Sequence, residues 1–163
     1  MLVEIVDNRD TPLGVMEEKQ VHALKLPHRR ILVLVYDKKN RFYLLRDGKK
    51  SSFSPWRLPV CSHIRAGCAR EEVALSLLKA NLAIRPRKLR PIFPPYYVEE
   101  LCEFIFVYGA LIPPYDSPIT PSHMEKVALS HEEMEFLITE YPQLICRYVL
   151  MCWREGAFVR LLK

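Results

Sequence analysis

The segment from Trp56 to Ile84, WRLPVCSHIRAGCAREEVALSLLKANLAI, has the outline of a strand, a tight loop and a helix of the kind that holds a metal-bound diphosphate. Such chemistry needs Mg²⁺, which takes several oxygen ligands and draws them from carboxylates and substrate phosphates. A helix supplies them by placing acids at i, i+3 and i+4, which share one face. Between Ser62 and Ile84 the only acids are Glu71 and Glu72, adjacent at the start of the helix. The triple that would carry the ligands, Leu77, Ala80 and Asn81, contains no carboxylate. The helix is badly equipped for metal-assisted phosphate chemistry.

The chain has 163 residues, half of them hydrophobic, which predicts one ordered domain over 1–163. Its longest apolar run, Ile31 to Tyr36, is strand-sized and far short of the ~20 residues of a membrane span. The opening MLVEIVDNRD lacks the basic and apolar regions of a signal peptide. Five cysteines without a CxxC pair read as reduced thiols in a cytoplasmic protein. Cys61, His63 and Cys68 are close in sequence, but their spacing matches no common zinc knuckle. The net charge of +5 is concentrated at Arg46–Lys50 and Arg85–Arg90. These clusters read as solvated loops or as a patch for a phosphorylated ligand. No aromatic residue interleaves with them, which argues against nucleic acid as a partner.

The pattern of residues predicts the elements that must position any site. Leu2 to Val6 and Pro12 to Met16 read as strands across a polar turn, followed by a short helix from Glu17 to Leu24. Ile31 to Asp37 is apolar and β-branched or aromatic, as in a strand buried on both faces. Arg41 to Arg46 is its hairpin partner. A loop over Ser51–Pro55 leads to a short strand at Arg57–Cys61. Val73, Ala74, Leu77, Leu78 and Leu82 recur at helical spacing over Glu71–Leu82. Glu100–Leu111 and Glu125–Leu129 read as strands. Ser130 with Glu133 forms a capping box for a helix that ends near Tyr141. Gln143–Trp153 is a further helix. Strands, a central helix, more strands and terminal helices predict an α/β sandwich with a mixed sheet.

The order of these elements resembles the Nudix family, in the subgroup near isopentenyl-diphosphate isomerase. The resemblance runs through VDNRDTPLGVMEEKQVHALKLPHRRILVLVYDKKNRFYLLR, SPWRLPVCSHIRAG and LSHEEMEFLITEYPQLICRYVLMCW. It implies a Nudix α/β/α sandwich. The family box reads G-x5-E-x7-R-E-U-x-E-E-x-G-U, where U is aliphatic, and its glutamates bind the metal that activates water against a diphosphate. On this chain the first glycine falls on Ser62 and the first glutamate on Cys68. The Arg-Glu pair falls on Ser76 and Leu77, the Glu-Glu pair on Ala80 and Asn81, and the second glycine on Ala83. Only the aliphatic positions, Leu78 and Ile84, are kept. The box is degenerate: it retains packing residues and has lost its acids.

The isomerase side of the resemblance implies a different set of residues. Cys61 and His63 stand in the cysteine–x–histidine relation that precedes the box in those enzymes. His22 and His28, with Glu100 or Glu103, would complete a metal site for Mn²⁺ or Zn²⁺, and Cys61 would act as acid or base. The blander reading makes His22 and His28 loop residues satisfied by backbone. It likewise makes Arg29 and Arg30 solvated, Trp56 a plug between sheet and loop, and Tyr96 and Tyr97 packing residues.

These observations set four expectations for function. The first is a Nudix-like protein without metal-dependent diphosphate hydrolysis and needing no cofactor. It would bind a small phosphorylated molecule or a protein partner in a cleft between the sheet and the box helix, lined by Arg30, Trp56, Cys61, His63, Leu77, Asn81 and Glu100. The second is a hydrolase of nucleoside-diphosphate-linked substrates that takes Mg²⁺ or Mn²⁺ on acids outside the box: Glu71, Glu72, Glu99, Glu100 or Glu103. The third is an isomerase-like enzyme using Cys61. A nucleic-acid or protein-interaction module would rest on the basic clusters alone.

Overall fold

A computed structural model describes residues 1–48 and 53–162. Nine strands form one mixed sheet. Strands β1 (Leu2–Val6) and β2 (Pro12–Glu17) make a hairpin that leads into helix α1 (Glu18–Ala23). The centre of the sheet is β3 (His28–Tyr36), and β8 (Glu103–Leu111) lies parallel to it over its whole length, from His28 opposite Glu103 to Tyr36 opposite Leu111. The other edge of β3 is shared in turn by β1, by β5 (Val60–His63) and by β4 (Phe42–Asp47). β9 (Met124–Leu129) pairs with β4, and the short β6 (Arg90–Pro91) and β7 (Tyr96–Val98) pair with β8. Helix α2 (Arg70–Leu82) is the box helix; α3 (His131–Glu140), α4 (Arg147–Arg154) and α5 (Ala157–Leu161) close the chain.

β3 is apolar throughout because both of its faces are covered. Successive side chains point to opposite sides of a sheet, and the core divides accordingly. Ile31, Val33 and Val35 pack with Phe104 and Phe106 against Ala74, Leu78 and Leu82 of α2. Leu32, Leu34 and Tyr36 pack with Ile105 and Val107 against Val149, Phe158 and Leu161 of α4 and α5. The aliphatic box positions are therefore core residues on one face only.

Several element boundaries differ from the sequence expectation, each for a local reason. The strand expected at Arg57–Cys61 is β5, starting at Val60; Pro59 has no N–H to give a ladder, and Arg57 makes only an isolated bridge to Leu45. The strand expected from Glu100 starts at Glu103. Glu99–Leu101 is a 3-10 turn, ended by Cys102 at φ 52°. The helix expected from Gln143 begins as a 3-10 turn over Pro142–Leu144, and α4 proper starts at Arg147. Gly156, at φ 79°, separates α4 from the unexpected α5. Helix α3 has both hydrogen bonds of its capping box. The Arg46–Lys50 cluster and the Ser51–Pro55 loop lie partly outside the described residues.

Gly109 shows how tightly the second face is packed. A Cβ at that position would lie 2.5 Å from Leu161 Cδ2, and Leu161 is buried between sheet and helices. Replacing Gly109 by alanine is expected to lower stability by about 1–3 kcal/mol through overpacking. Urea unfolding checks this; an unchanged midpoint would mean that α5 yields freely.

Candidate functional site

Register explains why the polar residues meet. His28 and Arg30 alternate with Ile31 along β3, so they share the face of Leu32 and Leu34. Arg30 lies opposite His63, Leu32 opposite Cys61, and His28 opposite Glu103. These residues consequently gather where β3, β5 and β8 meet, on the face covered by α4 and α5. The box helix covers the other face. Helix α1 brings His22 over the end of the group, and α4 supplies Tyr148.

The three imidazoles are in mutual contact, with ring centroids 4.8–4.9 Å apart. One ligand atom from each lies within 4.8 Å of the others. Glu103, only 2% exposed, sits beneath them, with Oε1 3.5 Å from His28 Nε2 and 3.3 Å from His63 Nε2. Its Oε2 accepts from Arg30 Nε at 2.8 Å and from the Tyr148 hydroxyl at 2.8 Å. Arg30 also approaches Cys61 Sγ with Nη1 at 3.6 Å and lays its guanidinium 4.5 Å from the Tyr148 ring centre.

The ring protons follow from these partners. His28 Nδ1 is 2.8 Å from the Leu26 carbonyl, which can only accept, so Nδ1 carries the proton. Arg30 Nη2, which can only donate, lies 2.7 Å from His63 Nε2, so the His63 proton is on Nδ1, facing Glu18 Oε1 at 2.7 Å. Nε2 of both rings thus lies beside the Glu103 carboxylate, and on His63 it accepts from Arg30. The one on His28 is buried without a hydrogen-bond partner. With His28 Nε2 deprotonated, two imidazole nitrogens and the carboxylate form an acceptor cluster in which Arg30 is the cation present and to which a metal ion would fit. A carboxylate or carbonyl fixing the far nitrogen is the usual support of a metal-ligating histidine. The residues fit a divalent cation of the Mn²⁺ or Zn²⁺ type.

Electrostatics follow the same geometry. Burial acts to raise the Glu103 carboxyl, but the imidazoles of His28 and His63 and the Arg30 guanidinium outweigh it and hold it well below the ordinary carboxylate range. Burial pushes the Cys61 thiol up to about 11, against the opposing pull of Arg30, so the group is a protonated thiol at neutral pH. Burial lowers His22, and the neighbouring imidazoles act in the same direction. Burial also raises the Tyr148 hydroxyl.

Several expectations about site residues are corrected here. His22 and His28 are not loop residues satisfied only by backbone; they lie in α1 and at the head of β3, packed on His63. The carboxylate beside them is Glu103; Glu100 is exposed in the preceding 3-10 turn. Arg30 is no solvated residue, with a side chain only 12% exposed, and Arg29 is paired with Glu4 and Asp10. The cleft drawn between sheet and box helix does not assemble, because Leu77 packs into the core on the far face and Asn81 is tied to the Pro59 carbonyl. Trp56 lies under Arg46 and bonds the Leu144–Cys146 segment through its backbone. A cavity of about 580 Å³ instead opens beside the cluster, bounded by His22, Lys25, Arg147, Tyr148 and the segment 99–103. Lys25, Arg147 and Tyr148 were not singled out from the sequence; only the docking of α4 brings the last two there. Among the acids considered as alternative ligands, Glu71 accepts from Tyr108, and Glu72, Glu99 and Glu100 are exposed. Among the described residues, the three histidines are the one group of three or more His, Cys, Asp or Glu with metal-ligand spacing.

Comparison with known proteins identifies the fold. The DR0079 protein of Deinococcus radiodurans superposes with a TM-score of 0.75 at 15% identity, over 95% of this chain and 98% of that one. The MutT protein of Methanosarcina mazei gives 0.56 at 16% identity, over 81% and 92%. The NUDIX hydrolase of Nitrosomonas europaea gives 0.55 at 10% identity, over 82% and 90%. The chain has the Nudix fold. In sequence it is similar to isopentenyl-diphosphate Delta-isomerase of Klebsiella pneumoniae, 22% identical over 84% of this chain and 78% of that enzyme. The match to the Pectobacterium atrosepticum enzyme of the same name is 30% identical over 97 residues, 58% of this chain and 54% of that one. No family model matches. Among the described residues, no helix is long and apolar enough to cross a membrane.

Glu103 is the group whose loss the cluster tolerates least. Removing one member of a buried pair leaves the other charge uncompensated and costs about 3–5 kcal/mol. Because its folded carboxyl titrates below the ordinary value of 4.5, its contribution is present above that pH and is lost as pH falls below it. Glu103→Gln is expected to lower stability by that amount near neutrality, with wild type and variant converging in acid. Denaturant melts across pH check this; a gap independent of pH would contradict the assignment.

Proposed function

We propose that this Nudix-fold protein is a metal-dependent, isomerase-like enzyme whose chemistry sits at the His22–His28–His63–Glu103 cluster and not on the box helix. The observation that carries the reading is the convergence of the three histidine rings, with Nε2 of His28 and of His63 beside the buried Glu103 carboxylate. The similarity to the isopentenyl-diphosphate Delta-isomerases, which spans most of the chain in the Klebsiella case, supports it. Hydrolysis along α2 is not part of the reading, because Leu77, Ala80 and Asn81 offer no carboxylate there.

The cation would be held by the three imidazoles and Glu103, and would supply a local positive charge for the phosphate oxygens of the substrate. The protein side does the proton work. Cys61, protonated at neutral pH and in reach of Arg30, which borders the cavity, is the acid that would give a proton to a carbon skeleton bound there. Shifting a double bond requires one proton delivered to one carbon, here from Cys61, and one removed from another, for which the Glu99 and Glu100 carboxylates on the cavity wall are the bases available, with no change in oxidation state. The substrate class is a small phosphorylated molecule with an apolar body. Lys25 and Arg147 at the cavity mouth are the cations available for its phosphate, and Tyr148 and Val21 provide wall for the rest.

Dialysis against Mn²⁺ followed by metal analysis should find one ion per chain, lost in His28→Ala and His63→Ala. Incubation with isopentenyl diphosphate should show double-bond migration. Cys61→Ala is expected to reduce it by about 100-fold or more, the size of a general acid's contribution. Metal binding without turnover on any prenyl phosphate would confine the reading to a metal site.

A further inference from the structure

We infer that Arg30 is a resident cation that stands in for the metal in the metal-free protein, so that loading the cluster requires the guanidinium to release His63. The inference rests on the metal site proposed above. The donor atoms of the three histidines spread over as much as 4.8 Å. Metal–nitrogen distances of ~2.0–2.1 Å place two donors on one ion no more than about 4.2 Å apart. The cluster therefore has to contract on loading. The group that stands in the way is named by its contacts: Arg30 Nη2 occupies the His63 Nε2 lone pair at 2.7 Å, the lone pair a metal would take.

The same guanidinium neutralises Glu103 through Nε and reaches Cys61 through Nη1. One side chain thus satisfies an imidazole, a carboxylate and a thiol, and leaves only His28 Nε2 without a partner. This explains how an acceptor cluster stays folded without a metal. Its cost is competition, since two cations cannot both hold His63. Arg30 borders the open cavity, whose mouth carries Lys25 and Arg147. There Nη2 has room to swing away while Nε keeps its bond to Glu103. Metal affinity is then set by a residue that is not a ligand.

The test compares Mn²⁺ binding, read as loss of the free-ion paramagnetic resonance signal, in wild type and in Arg30→Met. That variant keeps an unbranched, flexible side chain, though a shorter one, and removes both charge and donors. At least tenfold tighter binding by Arg30→Met supports the competition, as does uptake by the variant alone. Equal or weaker binding, in a variant whose His28→Ala derivative binds nothing, overturns it and leaves the metal site standing. No uptake by either protein overturns the metal site and this inference together. Should Arg30→Met not fold, the wild-type chain labelled with ¹⁵N-arginine decides. One equivalent of Zn²⁺ that shifts the three histidine signals should also move the Arg30 side-chain resonances. Histidine shifts with an unmoved Arg30 would overturn the proposal.

Discussion

The buried carboxylate of Glu103 is the point on which the polar interior depends. An ionised carboxylate taken out of water is strongly unfavourable unless charge and hydrogen bonds surround it. Here the guanidinium of Arg30, the hydroxyl of Tyr148 and two imidazole edges do so. Each comes from a different part of the chain: β3 supplies Arg30 and His28, β5 supplies His63, and α4 supplies Tyr148. The cluster ties the strands and the terminal helices at one end of the sheet, where aliphatic packing gives way to charge.

The two faces of the sheet have separate roles. The face under α2 packs Ile31, Val33 and Val35 against Ala74, Leu78 and Leu82 and holds the box helix as a structural element. The face under α4 and α5 is apolar at the Tyr36 end and polar at the His28 end. The absence of carboxylates at Leu77, Ala80 and Asn81 of α2 and the presence of the histidine cluster are therefore compatible. They lie on opposite sides of a layer of backbone, and one does not compensate directly for the other.

Much of the fold was legible in the residue pattern, because burial on two faces imposes an unmistakable demand on β3 and β8, and the capping box at Ser130 and Glu133 marks its helix start by local chemistry. The misses were elements without such a signature. β6 and β7 are two and three residues long, too short for a period to show. Helix α5 is five residues behind a left-handed glycine. The start of β8 was displaced from Glu100 to Glu103 by a 3-10 turn that sequence periodicity does not reveal.

Residue types and their order settled that positions 77, 80 and 81 of α2 carry no carboxylate and that a sheet with two covered faces would form. Both depend on identity and local spacing. Tertiary structure alone decided that Cys61 and His63 share one strand, and which acid stood beneath the histidines. It also decided that Arg30 is a buried partner and no solvated charge. These outcomes depend on the register between strands 31 to 73 residues apart in the chain and on where α4 docks. A one-residue shift in register would turn Arg30 and His28 toward the box helix.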